Sequence, residues 1–376
     1  MRSVLQKFLL SVIVAAATFV PSRAFAQPPV PPGCDTGVLP HGALSLICVP
    51  PTGWNGQLVV FAHGYIAPGS PLGFYDLTLP DGTSVPAIVE GAGFAFATTS
   101  YRKNGLAIVE GVDDIRELVT AFSARGSVPL RTFVAGASEG GLVATLLAER
   151  SPDIFWSALA TCGPIGSFVG QIDYVGDFRV LFDYFFPGVI PGSAIHIPAE
   201  VIADWYTVYV PRITATLAAH PSEAAQLIRT SHAAIDPSNP ATVVNTALDL
   251  LWYNVFGTNE AAHELGGNSY GNRFRIYFGS ANDVRLNLRV ARFSASPTAL
   301  ASLHAYETTG RLSIPLITLH TTADDVVPFA HEFFYGLKVD LFNRGKFIPI
   351  PAARYGHCNF MTNEVLTAFL LTVSQP

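Results

Sequence analysis

Short, nearly unbroken apolar runs alternate with amphipathic stretches along this chain. Residues 43–49 (ALSLICV), 57–62 (QLVVFA), 93–98 (GFAFAT), 131–135 (RTFVA), 155–161 (FWSALAT), 314–320 (IPLITLH) and 346–350 (KFIPI) predict strands. Between residues 105 and 124 the apolar positions are Ile108, Val112, Ile115, Leu118, Val119 and Phe122. Those offsets of three and four build one face of a helix. Residues 140–149 and 363–373 predict two more helices. Continuous apolar strands separated by helices point to an α/β fold with a mostly parallel sheet covered on both faces. Ligands of such sheets bind beyond the carboxyl ends of the strands.

The texture changes between Cys162 and Ser313. This stretch is dense in aromatics, among them Phe168, Phe178, Phe182, Trp205, Tyr209, Trp252 and Tyr253. Residues 199–227 and 240–255 look helical. We expect a largely helical cap over residues 163–312, inserted into a core made of residues 27–162 and 313–376. Taken singly, each of these aromatics is expected to pack the cap's own interior.

The N-terminus has a separate character. Arg2 and Lys7 precede an apolar run over residues 8–20, and Ala24-Phe25-Ala26 offers a small-x-small cleavage site. Together these predict a secretory signal peptide over residues 1–26. A membrane span needs about 20 apolar residues, more than this run holds, so no integral membrane span is expected. The predicted location is secreted or periplasmic.

Charged residues are 13% of the chain and the net charge is −6. A nucleic-acid partner would call for a basic face, so none is expected. The four cysteines are Cys34, Cys48, Cys162 and Cys358. None has metal-ligand spacing, and an even count in an exported chain suits two disulfides. No metal or cofactor is implied.

The chemistry centres on Gly136-Ala137-Ser138-Glu139-Gly140, a G-x-S-x-G that follows a predicted strand and opens a predicted helix. In that setting the serine stands on a sharp turn and the glycines let backbones crowd. A second match, residues 267–271, has neither neighbour and is read as a loop. A serine hydroxyl needs a base. His357 lies in a loop between the last strand and the last helix, preceded by Gly356. The carboxylate is sought between serine and histidine, in His320-Thr321-Thr322-Ala323-Asp324-Asp325. Asp324 is the first choice, four residues beyond the expected strand end. Asp325 is the rival, expected at the surface or capping a helix that starts near Pro328. Residues 61–65 (FAHGY) end an early strand, so the N–H groups of Tyr65 and Glu139 are candidate oxyanion donors. His63 is expected to shape that loop.

These motifs resemble the α/β-hydrolase superfamily over residues 43–162 and 313–373. Residues 316–328 (LITLHTTADDVVP) resemble the acid loop of exported bacterial serine esterases and prolyl-oligopeptidase-like hydrolases, departing at Thr321, where many members carry glycine. His357-Cys358 is similar to the tannase and feruloyl-esterase group, whose bridged cysteines flank the catalytic serine and histidine; here Ala137 precedes the serine. The resemblance implies acyl transfer to water, with Ser138 attacking, His357 relaying the proton and Asp324 orienting it. The aromatic, charge-poor cap suggests small-molecule or polymeric esters with a sizeable apolar part. A peptidase on the same fold, with Glu139 as an amine anchor, and a catalytically silent binding protein are the alternatives. The topology also predicts the bridges Cys34–Cys48 and Cys162–Cys358, because the His357 loop must return to the strand edge that Cys162 closes.

Overall fold

The computed structural model describes residues 33–126, 128–339 and 345–376. The expected leader lies outside them. An eight-stranded sheet forms the centre, in the order β1-β2-β4-β3-β5-β6-β7-β8. Strands β1 (Cys34–Val38) and β2 (Leu44–Cys48) make an antiparallel hairpin, and β2 runs antiparallel to β4 (Ala95–Thr99). From β4 onward all pairings are parallel, through β3 (Gln57–Ala62), β5 (Arg131–Ala137), β6 (Ser157–Thr161), β7 (Leu316–Ala323) and β8 (Phe347–Tyr355). The central strands are buried almost throughout, as their unbroken apolar runs require.

Among the described residues, the core helices include α1 (Val85–Gly91), α2 (Ile108–Ser123), α3 (Glu139–Arg150) and, at the chain end, the helix Thr362–Val373, here α12. The stripe read on α2 is the buried one: Ile108, Val112, Ile115, Leu118 and Phe122 all face inward. Strand β1 escaped the sequence reading because CDTGV is half-exposed edge structure without an apolar run. Helix α1 is short and starts on the Ser84 side chain, which accepts from Ala87 N.

Seven α-helices, with a π-helical turn (Trp205–Tyr209) and a 3-10 turn (Leu303–Tyr306), fill the segment between β6 and β7: α4 (Phe168–Phe185), α5 (Ala199–Ala203), α6 (Val210–Ala219), α7 (Pro221–Ser231), α8 (Thr242–Glu264), α9 (Asp283–Arg289) and α10 (Pro297–Ser302). A further helix, α11 (Ala330–Lys338), follows β7. The single helix expected over residues 199–227 is broken, with Pro211 and Pro221 each opening a new one, as the missing proline N–H demands. The helix expected over 240–255 runs on to Glu264, straight through Gly257. Helix α4 gave no stripe to read because it is buried on several sides. At its centre Arg179 is fully buried, held by Asp183, Asn254 and the carbonyls of Ile190 and Pro191. Phe178, Phe182, Phe186, Trp205 and Tyr209 form the segment's own apolar core with Leu250 and Val255. Among the described residues no helix is long and apolar enough to cross a membrane.

Two disulfides tie the core. Cys34–Cys48 links the paired residues at one end of the β1–β2 hairpin. Cys162–Cys358 joins the residue after β6 to the loop after β8, with Cα atoms 5.4 Å apart.

Candidate active site

Strand β5 delivers Ser138 at φ 56°, ψ −121°, a backbone region that side-chain-bearing residues rarely occupy. Its neighbours explain how the turn fits. A Cβ on Gly136 would strike the Gly140 carbonyl, and one on Gly140 would strike Ala62 O. The Ser138 N–H donates to Thr161 O at 2.9 Å, and Gly141 N–H donates to Ser138 O at 2.9 Å, starting α3. The turn is therefore pinned from both sides, with the hydroxyl raised above the carboxyl edge of the sheet.

His357 comes from the loop after β8. Its Nε2 lies 2.8 Å from Ser138 Oγ. Its Nδ1 lies 2.8 Å from Asp324 Oδ2 and 3.0 Å from Oδ1. Strand β7 extends to Ala323, so Asp324 stands immediately after the strand and not four residues beyond it. Asp324 is buried; its Oδ1 also accepts from Val326 N at 3.0 Å and Val327 N at 2.8 Å. Burial alone would raise this carboxyl, but the charges and hydrogen bonds of His357 and His320 hold it well below the usual carboxylate range.

Asp325 corrects the sequence reading: it is buried, neither surface-exposed nor a helix cap. It accepts from Tyr355 Oη at 3.1 Å and lies beside the carboxyl of Asp249 of α8. Burial, with the neighbouring Asp325 carboxylate, pushes Asp249 up to about 7. Asp325 makes no hydrogen bond to His357, whose partners are Asp324 and Ser138, and it belongs to the contact between α8 and the acid loop.

The two candidate oxyanion donors are free for a ligand. Among the described residues, neither the Tyr65 N–H nor the Glu139 N–H donates to another protein atom. Gly64 lets its loop approach closely, since a Cβ there would sit 3.1 Å from Ser138 Cβ. The Gly64 N–H is fixed by Asp76 Oδ2 at 2.7 Å. His63 is buried beneath, its Nδ1–H donating to Gly64 O at 2.7 Å and its ring stacked 4.0 Å from Tyr101. Burial lowers its pKa, keeping it neutral. The Glu139 side chain turns under the site, where Oε1 accepts from Ala107 N at 3.1 Å. Burial pushes this carboxyl up to about 8, and the Glu260 carboxylate adds to the rise.

Sequence reasoning passed over a second layer. His320 is fully buried behind Asp324. Its Nδ1 is 3.1 Å from Glu332 Oε1, its Nε2 is 2.9 Å from Val327 O, and Nε2 is 3.4 Å from Asp324 Oδ2. A carbonyl and a carboxylate both require N–H donors, so both ring nitrogens carry protons. Burial opposes that charge, but Asp324 and Glu332 outweigh it and push His320 up to about 10. Its place three residues before the end of a buried strand was the available signal. For Asp76 and Glu260 no local motif exists.

Strand order, Ser138 turn and loop placement together define the architecture. The fold is that of the α/β-hydrolases. No family model and no curated protein matches this sequence. Solved structures with a similar arrangement include an esterase from Pyrococcus furiosus, 11% identical, covering 90% of this chain and 89% of its own with a TM-score of 0.46. Feruloyl esterase B from Aspergillus oryzae is 13% identical over 86% and 73% of the two chains, TM-score 0.47. Proline iminopeptidase from Mycobacterium smegmatis is 12% identical over 90% and 97%, TM-score 0.44.

Proposed function

We propose that this protein is an exported serine hydrolase that cleaves carboxylic esters carrying a sizeable apolar group. The observation that supports this most directly is the unbroken Asp324–His357–Ser138 hydrogen-bonded chain, with spacings of 2.8 Å and 2.8 Å, beside two unoccupied backbone donors. In this reading His357 takes the Ser138 proton as Oγ attacks the ester carbonyl. The Tyr65 and Glu139 amides receive the developing oxyanion. The protonated His357 then gives its proton to the departing alkoxide, leaving an acyl-serine. Water, deprotonated by the same histidine, attacks that acyl group and regenerates the hydroxyl. Asp324 keeps the proton of neutral His357 on Nδ1, leaving Nε2 free to act as the base, and stabilises the imidazolium. Residues 163–312 act as the cap over this centre. The two disulfides suit an oxidising, secreted or periplasmic location.

A peptidase is the second reading, favoured by the Glu139 carboxyl, which lines the space beside Ser138; a bound substrate ammonium would draw that carboxyl into its ionised form. Labelling of wild type but not Ser138→Ala by a fluorophosphonate probe tests the nucleophile. Rates on p-nitrophenyl esters against aminoacyl-nitroanilides separate the two substrate classes. Absence of labelling with intact protein would overturn the hydrolase reading.

A further inference from the structure

Ser138 sits at a waist between two apolar chambers. The cap-side chamber is enclosed by Phe168, Ile172 and Val175 of α4, Gly257 and Ala261 of α8, and Tyr270. The core-side chamber descends from Ser138 between the sheet and helices α1 and α12, along Val59, Phe61, Phe96, Leu159, Ile88 and Phe369. Tyr65 and Tyr253, with ring centres 5.8 Å apart, border both. The volumes differ: about 140 Å³ on the cap side and about 390 Å³ on the core side. Protein interiors are close-packed, so a cavity of this size walled by the side chains of central strands is unusual.

The chemistry assigns the chambers. The leaving oxygen must stay bonded to the carbon that Ser138 attacks and must also reach His357, which protonates it. The departing alcohol therefore lies where Ser138 and His357 are both exposed. The core-side chamber is lined by both residues. The cap-side chamber is lined by Ser138 but not by His357. A third, more polar recess at Asp249, Asp325 and Tyr355 is lined by His357 but not by Ser138. Resting on the serine-hydrolase reading, we infer that the substrate is an ester of a compact apolar acid with a larger apolar alcohol. The acyl group occupies the cap-side chamber and the alcohol the core-side chamber. An apolar cavity of about 150 Å³ holds one benzene, so the acid is of benzoyl or short-chain acyl size. The alcohol is longer.

Two ester series test this, with release followed by pH-stat titration. In one, the alcohol is fixed and the acid grows from acetyl to decanoyl. In the other, the acid is fixed and the alcohol grows from ethyl to decyl. In wild type, kcat/KM should climb about four-fold per methylene and peak near hexanoyl in the acyl series, while the alcohol series continues beyond that length. Ile172→Trp should lower the rate on hexanoyl relative to acetyl esters at least ten-fold and leave the alcohol ratios within two-fold. Ile88→Trp should do the reverse. Ile172→Ala, which only removes volume, should move the acyl optimum to longer chains. Circular dichroism and fluorophosphonate labelling of each variant report fold and nucleophile. If labelling is normal but the effects are exchanged between the series, or each variant moves both series, the assignment of chambers is overturned while the hydrolase reading stands. If wild type is not labelled, the underlying reading fails first.

Discussion

Asp324→Asn discriminates between the two adjacent aspartates more sharply than any other substitution. Asp324 Oδ1 accepts two backbone N–H groups, from Val326 and Val327, while Oδ2 makes the shorter contact to His357 Nδ1. An asparagine has one acceptor oxygen and one NH₂ donor. The two buried backbone donors would leave the NH₂ clashing with N–H groups if it took the Oδ1 place, so the amide oxygen settles there. The NH₂ then faces His357 Nδ1 as a donor. That ring nitrogen must become the acceptor, and the proton moves to Nε2, the atom 2.8 Å from Ser138 Oγ. The base is then lost, and the NH₂ also faces the His320 Nε2–H 3.4 Å away, which costs some stability without emptying the site. Wrong-tautomer substitutions of this kind cost about 10⁴-fold in rate, or about 5 kcal/mol of transition-state stabilisation. Asp325→Asn keeps an oxygen for Tyr355 and gains a donor for Asp249, so its effect on kcat should stay within about ten-fold. The assay is kcat/KM on a p-nitrophenyl ester, with thermal melts showing both variants folded. A loss under about 100-fold for Asp324→Asn, or equal losses for the two, would refute the argument.

Two further outcomes follow from groups around the triad. His320 is held protonated when folded, its pKa pushed up to about 10 from an ordinary 6.5 by Asp324 and Glu332 against the opposing effect of burial. A raised pKa of a base contributes stability that is complete below about pH 6.5 and lost as pH rises through about 10. Urea unfolding at pH 7 and pH 10 should therefore show wild type losing up to a few kcal/mol more than His320→Gln; equal losses would remove the buried imidazolium. The Cys162–Cys358 bridge spans 196 residues, and loop-closure arithmetic for that length gives about 5 kcal/mol. The double Cys→Ser variant should melt well below wild type and lose activity, because the His357 loop is released; an unchanged melting temperature and kcat would show that the bridge positions nothing.

The sequence made legible what is local and periodic. Strands at residues 57–62 and 131–137 and the stripe on α2 carry their burial in their own composition, so periodicity was enough. Ser138 was legible because a strand, two glycines and a helix surround it. Asp325 was misplaced because its burial depends on Asp249 and Tyr355, which come from α8 and β8, distant in the chain. Asp76 is unreadable for the same reason: only the folded loop brings it to Gly64 N–H. Helix α4 carries no single apolar stripe because it is surrounded on most sides, so periodicity does not mark it. The residues that act through tertiary contacts are thus the ones a linear reading loses.

Backbone strain marks the same centre independently of side-chain chemistry. Non-glycine residues with positive φ are Asp76, Tyr101, Ser138, Cys162, His232 and Cys358 among the described residues. His232 ends helix α7, where a left-handed residue is ordinary. The other five all converge on the proposed centre. Ser138 is the candidate nucleophile, Asp76 holds Gly64 N–H, and Tyr101 supports His63 by stacking and by a hydrogen bond from Oη to the His63 carbonyl. Cys162 and Cys358 are bonded to each other next to His357. Each such residue costs on the order of 1 kcal/mol or more and persists only where its surroundings over-determine it. Here the surroundings are identifiable: the sheet hydrogen bond from Ser138 N–H to Thr161 O, the buried Tyr101–His63 stack, and a covalent bridge. A scaffold that concentrates five strained residues where five loops meet has its stability spent on holding one geometry. That geometry, a raised serine facing a histidine and two open amides, is the one the proposed acyl transfer would use.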